Sequence, residues 1–269
     1  MTRGQNLTDI IPETLHSHIP RRFEVFGDIA VVSFPDELTS YKLQIARSII
    51  ADRHNITTVL RRVSKRSSYH RVAHYEPIIG TKTCTTCRES GFVYRIDLLN
   101  AFFTTRLVGE RQRISSQIQP GELVLIPFAG VGPFVIPAAA RGAQVIAIEK
   151  NPYACVLLQE NVRLNHCTDR VLVIQGDAIT THTLLKTRTD RVIIPTPYGM
   201  DETFPLLSGM VKPGGVIHYY TFHNKSGAEE LSRDFHDSGF KVDRLHRCGN
   251  VAPSVSRWVF DVRVGTDIL

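Results

Sequence analysis

Apolar residues in the first hundred positions fall in short, mixed groups, and beyond about Leu98 they fall in longer and more even runs. From Phe23 to Asp97 the pattern predicts a strand at IAVVSF and a helix that opens after Pro35 and runs through YKLQIARSII. A strand at ITTVLRRV follows, then further short strands ending with FVYRID. After residue 98 the runs VLIPF, VIAIE, VLVIQ, RVIIPTP, GGVIHYYTF and RWVFDVRV alternate with helical segments, which is the pattern of a doubly wound α/β sheet. FKVDRLHR and SRWVFDVRV succeed one another with no helix between them, so one strand of an otherwise parallel sheet is expected to be antiparallel. Three regions result: a flexible tail over residues 1–22, punctuated by Pro12 and Pro20, a small α+β domain over 23–97, and the α/β domain over 98–269.

Residues 124–152, VLIPFAGVGPFVIPAAARGAQVIAIEKNP, form a strand, glycine turn, helix and strand in succession, with the acid Glu149 at the tip of the second strand. Gly130 and Gly132 let the backbone pass close beneath a ligand, and a carboxylate at position 149 can accept both hydroxyls of a ribose. A second acid, Asp177, follows Gly176 at the end of the next apolar run. These features point to a nucleoside-containing cofactor contacted by Phe128, Ala129, Gly130, Gly132, Glu149, Lys150, Asp177 and, after the next apolar run, Pro195. A dinucleotide fits poorly, because Val135 stands where its fingerprint needs a third glycine and Pro133 removes an N–H from the first helical turn. S-adenosylmethionine has no phosphate to cradle and suits the turn better.

Composition narrows the picture. A chain of 269 residues has room for one large and one small domain, and its net charge of +6 favours a polyanionic partner. The N-terminus lacks an apolar signal-like segment, and no run approaches the ~20 apolar residues of a membrane span, so a soluble, cytoplasmic protein is expected. Five cysteines make no disulfide framework, and the single CxxC at Cys84 and Cys87 has no second pair at finger spacing, so no metal is expected. Between Arg53 and Tyr75 stand Arg53, Arg61, Arg62, Lys65, Arg66 and Arg71 without one acid, interleaved with Tyr69, His70, His74 and Tyr75. Basic groups fix phosphates and aromatic faces stack unpaired bases, so this segment suits structured RNA, a solvated basic face being the alternative.

Four segments carry a family resemblance: FEVFGDIAVVSFPDEL, the YHR stretch, FFTTRLVGERQRI, and FAGVGPFVIPAAARGAQVIAIEKNP with its continuation LLQENVRLN. Through them the chain resembles the superfamily of tRNA guanine-37 methyltransferases and wybutosine aminocarboxypropyltransferases of archaea and eukaryotes. The resemblance implies a class I methyltransferase Rossmann-like sheet preceded by the small α+β domain, S-adenosylmethionine as cofactor and the anticodon region of tRNA as partner; a monomer is expected. It places Glu110 where that family has its general base, with Arg106 or Arg71 stabilising charge on O6 of the target. Pro195-Thr196-Pro197-Tyr198 stands where the family has Asn-Leu-Pro. The Pro195 carbonyl or the Thr196 hydroxyl then holds an amine, and Tyr198 stacks on a base. Ile126-Pro127 stands where an acid usually precedes Phe-Ala-Gly.

Gly132-Pro133-Phe134, Arg106-Leu107 and Tyr219-Tyr220-Thr221-Phe222 resemble the methyl-transferring branch, and Glu149-Lys150-Asn151-Pro152 with the short N-terminus resembles the other. The expectation is methylation of guanine 37 at N1. The alternatives are aminocarboxypropyl transfer and a weakened paralogue that only binds cofactor and RNA.

Overall fold

The structure is a computed structural model that describes residues 6–63, 73–200 and 202–266, with His182 by its backbone alone. The chain divides into two compact units, Met1–Arg88 with Val93–Phe102, and Glu89–Phe92 with Phe103–Leu269.

The first unit contains α1 (Leu7–Ile10), β1 (Phe23–Phe26), β2 (Ile29–Val32), α2 (Lys42–Asp52), β3 (Thr58–Arg62) and β4 (Tyr75–Ile79). Its sheet has the order β1-β2-β3-β4, with β2 and β3 parallel and the outer pairs antiparallel. Ile45, Ala46 and Ile49 of α2 fall on one helical face and bury against Ala30, Val32, Leu38 and Val59. β5 (Cys84–Glu89) and β6 (Phe92–Asp97) pair as a hairpin. Cys84 and Cys87 lie three residues apart on β5, one exposed and one buried, so strand alternation turns the two thiols to opposite faces.

Two expectations are corrected in this unit. The stretch expected as a flexible tail is ordered from Leu7 to His18, with a second short helical turn at Glu13–His18. Ile11 is buried, and Leu7, Leu15 and Ile19 pack on the α2 core, so the apolar residues on either side of Pro12 supply the anchoring that the polar composition concealed. The second correction concerns Arg61 and Arg62. Arg61 is 5 % exposed. Its guanidinium stacks on Phe34 at 4.6 Å and donates to Asp36, to the Phe34 carbonyl at 3.2 Å and to Thr39 at 3.1 Å, with Glu76 at 3.7 Å. Arg62 pairs with Glu24 at 2.8 Å. β3 is buried from Thr58 to Arg61, with Arg62 partly so, and these arginines are spent on acids distant in sequence rather than turned to a polyanion. Lys65, Arg66 and Arg71 lie outside the described residues.

The second unit contains α3 (Val108–Ser115), β7 (Leu123–Pro127), α4 (Val135–Ala140), β8 (Gln144–Glu149), α5 (Pro152–Leu164), β9 (Val171–Gln175), α6 (Ala178–Thr181) and β10 (Thr189–Ile194). It continues with α7 (Thr203–Ser208), β11 (Val211–His223), α8 (Lys225–Asp237), β12 (Phe240–Ala252) and β13 (Val255–Val264). The sheet order is β12-β13-β11-β10-β7-β8-β9, and β13 alone runs antiparallel to its neighbours. The interior parallel strands are buried on both faces, which is why they read as continuous apolar runs. Phe204 of α7 and Phe235 of α8 stack at 4.2 Å over Tyr219 and Phe260 and close one side of the core. The strand order reverses between β7 and β10, and the carboxyl ends of strands at such a switch point are where open α/β sheets form the crevice that binds ligands. No helix among the described residues is long and apolar enough to cross a membrane.

Arg61→Ala is expected to lower unfolding stability by about 2 kcal/mol, the scale of charge-assisted hydrogen bonds lost to a buried carbonyl and its neighbours. A urea titration of the full chain measures it, and an unchanged midpoint would show that Arg61 is not structural.

Candidate active site

The turn after β7 is held in a conformation few residues accept. Phe128, Gly130 and Gly132 have φ of +54°, +57° and +95°. A bulky residue in the left-handed region is costly and persists only where its surroundings hold it, which makes Phe128 a marker of function. At Gly132 a Cβ would stand 2.6 Å from Cδ1 of Leu158 on α5, so both the conformation and the space require glycine. The same helix props the turn from below. Asn161, fully buried, donates from Nδ2 to the Val131 carbonyl at 2.9 Å, so the ENVRLN segment supports the FAGVGPF segment directly.

Glu149 ends β8 with its carboxylate turned back toward the turn. Oε2 accepts the Gly130 N–H at 2.7 Å and Oε1 accepts the Asn151 N–H at 2.8 Å. Each oxygen has a further lone pair, and no cation pairs with Glu149 among the described residues. Asn151 caps α5 through the Tyr153 N–H, and Pro152 occupies the first helical position, so Asn-Pro is the local start signal of this helix. Lys150 pairs with Asp177 at 2.6 Å. That hydrogen bond holds the Asp177 carboxyl below its usual range against the effect of burial, while its other oxygen caps the Ile179 N–H.

Glu110 projects from α3 toward β11 and β12. Its carboxylate accepts from Nε and Nη2 of Arg113 at 3.1 Å, from Nε2 of His246 at 2.7 Å and from the Tyr220 hydroxyl at 3.2 Å. Burial pushes its proton affinity up, but the hydrogen bonds from Arg113 and His246 outweigh this and hold the pKa below the usual glutamate value. The Tyr220 ring packs on Phe134 at 5.5 Å, so one tyrosine links this carboxylate to the residue that opens α4 after the glycine turn. Arg111, next in sequence, points elsewhere: it is 2 % exposed and makes a two-pronged pair with Glu89.

Arg113 also binds Asp261 through Nη1 at 2.5 Å, and Asp261 bonds His218 Nδ1 at 2.6 Å. His218 Nε2 meets Nη1 of Arg191 at 2.6 Å, and Arg191 pairs with Glu122 at 2.7 Å. An arginine can only donate, so His218 accepts at Nε2 and its proton sits on Nδ1, facing Asp261. Full burial lowers the His218 pKa and keeps the ring neutral.

Of the remaining expected residues, Pro195 follows β10 at the same end of the sheet. The Thr196 hydroxyl is turned inward to Thr203 at 3.3 Å and to the Ile194 carbonyl, so it is not presented to an amine. Tyr198 is 55 % exposed and meets Phe222 edge-on at 5.1 Å. Arg106 is exposed on the short turn that precedes α3. Arg71 lies outside the described residues. The structure thus gathers Phe128, Ala129, Gly130, Gly132 and Glu149 at one turn and connects Glu110 to it through Tyr220 and Phe134. It adds Tyr220, His246, Arg113 and Asn161, which the sequence reading assigned no role. Only strand register brings Tyr220 and His246 to Glu110, whereas Arg113 stands one helical turn along α3 from it and Asn161 lies within the LLQENVRLN segment.

Residues 85–241 match the model of the TRM5/TYW2 methyltransferase domain, and residues 4–83 match that of the TYW2 N-terminal domain. The chain is 34% identical over 265 residues to the tRNA (guanine(37)-N(1))-methyltransferase Trm5b of Pyrococcus abyssi, covering 94% of this chain and 78% of that one. It is 31% identical over 266 residues to the tRNA(Phe) (4-demethylwyosine(37)-C(7)) aminocarboxypropyltransferase of Pyrococcus horikoshii, covering 96% and 94%. The crystal structure of P. horikoshii TYW2 in complex with MeSAdo aligns with a TM-score of 0.80 at 29% identity over 97% of both chains. With nearly its whole length matched in sequence and in fold, this chain belongs to the TRM5/TYW2 methyltransferase family.

Proposed function

We propose that the chain is an S-adenosylmethionine-dependent tRNA methyltransferase that modifies N1 of guanine 37. The observation that carries this reading is the position of Glu110, a charged carboxylate linked through Tyr220 and Phe134 to the glycine turn. The turn fits a nucleoside cofactor on its own chemistry. Gly130 and Gly132, both left-handed, carry the backbone beneath a ligand with no side chain in the way, and Glu149 keeps lone pairs for two ribose hydroxyls after each oxygen has accepted one backbone N–H. Lys150 and Asp177 form the neighbouring rim as an ion pair.

S-adenosylmethionine, when bound, supplies a methyl group on a sulfonium centre. Glu110 receives the N1 proton of the acceptor guanine. Its pKa is held low by Arg113 and His246, which suits a late proton transfer: as the N–C bond forms, the ring N–H becomes acidic and a weak carboxylate base suffices. The offset of charge on O6 is assigned to Arg106, which is exposed at the turn before α3.

One observation favours a second reading. Residues 4–83 match the TYW2 N-terminal domain, and the P. horikoshii aminocarboxypropyltransferase is nearly co-extensive with this chain. In that reading the same site moves the aminocarboxypropyl group to a tricyclic base, and Glu110 takes the proton of the acceptor carbon.

Incubation of the full chain with S-adenosylmethionine and a tRNA carrying guanine 37 is expected to yield N1-methylguanosine by nucleoside mass spectrometry. A gain of an aminocarboxypropyl group on 4-demethylwyosine tRNA, with guanosine untouched, replaces the first reading with the second. No product on either substrate rejects both and favours the binding paralogue. Glu110→Gln is expected to lower kcat by roughly 10²–10³-fold with cofactor affinity retained. Gly132→Ala is expected to weaken cofactor binding at least about tenfold by calorimetry, since the added Cβ requires Leu158 and a strained backbone to give way. Equal affinity in this variant would remove the turn from the cofactor site.

A further inference from the structure

Arg257 lies on β13 opposite Phe222 of β11, and its partner on the other side, on β12, is Gly249, which has no side chain to cover it. Along one face of these strands the register pairs are His218 with Asp261, Tyr220 with Val259, and Phe222 with Arg257. The first pair carries the buried ion network and the second carries the hydroxyl that bonds Glu110. The third lies one pleat repeat beyond it, ~7 Å along the strand, toward the carboxyl end of β11 where the crevice opens.

There the guanidinium lies over the Phe222 ring with Cζ 5.1 Å from the centroid, and Tyr198 meets the same ring edge-on. Arg111, Arg113 and Arg191, the other well-buried arginines of this unit, are each matched by carboxylates: Glu89, Glu110 with Asp261, and Glu122. Arg257 is only partly accessible, and no carboxylate among the described residues pairs with it. Burial, with repulsion from Arg106 and Arg111 added, pulls its proton affinity below the usual arginine range. A desolvated cation without an anion costs free energy, and such a group at the rim of a crevice marks a place where an anion is received.

We propose that Arg257 binds a backbone phosphate of the RNA strand at the target nucleotide, with Tyr198 stacking on an unpaired base beside it. The inference rests on the tRNA reading above and adds a residue to it. Stacking on Phe222 leaves the edge of the guanidinium fork for a two-pronged phosphate contact, the geometry in which arginine exceeds lysine. The exposed Tyr198 ring supplies a face that accepts any base.

The test is the salt dependence of binding of a guanine-37 tRNA transcript to the full chain, to Arg257→Gln and to Arg257→Lys, by fluorescence anisotropy. Arg257→Gln is expected to raise Kd about tenfold and to reduce the slope of log Kd against log salt by about 0.7–0.9, the value of one phosphate contact. Arg257→Lys is expected to keep the slope and lose part of the affinity. Cofactor affinity by calorimetry is expected to be unchanged, and the thermal midpoint of Arg257→Gln equal to or above that of the parent, because an unmatched cation has been removed. A parent-like slope in Arg257→Gln overturns the assignment. So does a loss confined to cofactor affinity, which would give Arg257 to the carboxylate of the cofactor, or a fall in midpoint in both variants, which would make it structural. If the parent chain itself neither binds nor modifies tRNA, the tRNA reading fails and this inference fails with it. Normal parent binding with an unchanged slope rejects Arg257 alone.

Discussion

A line of alternating charges, Glu110, Arg113, Asp261, neutral His218, Arg191 and Glu122, ties helix α3 to the sheet of the second unit. Each member is desolvated and each has an opposite or complementary neighbour, so the chain tolerates the loss of no single group without exposing another. Buried pairs of this kind add little net stability over apolar packing, but breaking one leaves a charge stranded. Their effect is positional: α3 can dock on β11 and β13 in one register only, and that register sets Glu110 under the Tyr220 hydroxyl. Asp261 is held well below the usual carboxylate range by His218 and Arg113 against its burial, so the line stays charged through the neutral range.

The cofactor side of the crevice is built differently. There the constraint is backbone geometry: a left-handed phenylalanine, two left-handed glycines, and a helix whose buried Asn161 and Leu158 leave no slack beneath them. Glu149 ties the turn to the tip of β8 through backbone N–H groups, which fixes the carboxylate without neutralising it. A strained turn on one side and a line of paired charges on the other meet at the Phe134–Tyr220 contact. Arg257 stands out against this background because, among the described residues, it has no matching acid in a unit where the other buried arginines do.

Charge counting misled where strand pairing decided. The segment from Arg53 to Tyr75 has no acid of its own, yet Arg61 and Arg62 meet Asp36, Glu76 and Glu24 from other elements. Net charge along a window records neighbours in sequence, whereas a β-sheet chooses neighbours in space. The same blindness hid the anchoring of Leu7–Ile19, since isolated apolar residues on either side of Pro12 reveal nothing of the helix core they cover. It hid His246 as well, which stands 136 residues from the carboxylate it bonds.

What the sequence determined by itself is local or periodic. The alternation of apolar runs and helical segments specified the doubly wound sheet, and the missing helix between FKVDRLHR and SRWVFDVRV specified the antiparallel strand, realised as β13. Glycines at 130 and 132 and the acid at 149 announced the turn, because backbone conformation and strand ends are written in a few adjacent residues. Tertiary structure alone decided which arginines are spent and which is left over, which face of α3 is buried, and which side chains surround Glu110. Those outcomes depend on the register of β11, β12 and β13, and a shift of one residue turns every side chain on a strand to the other face, so no window of sequence holds them.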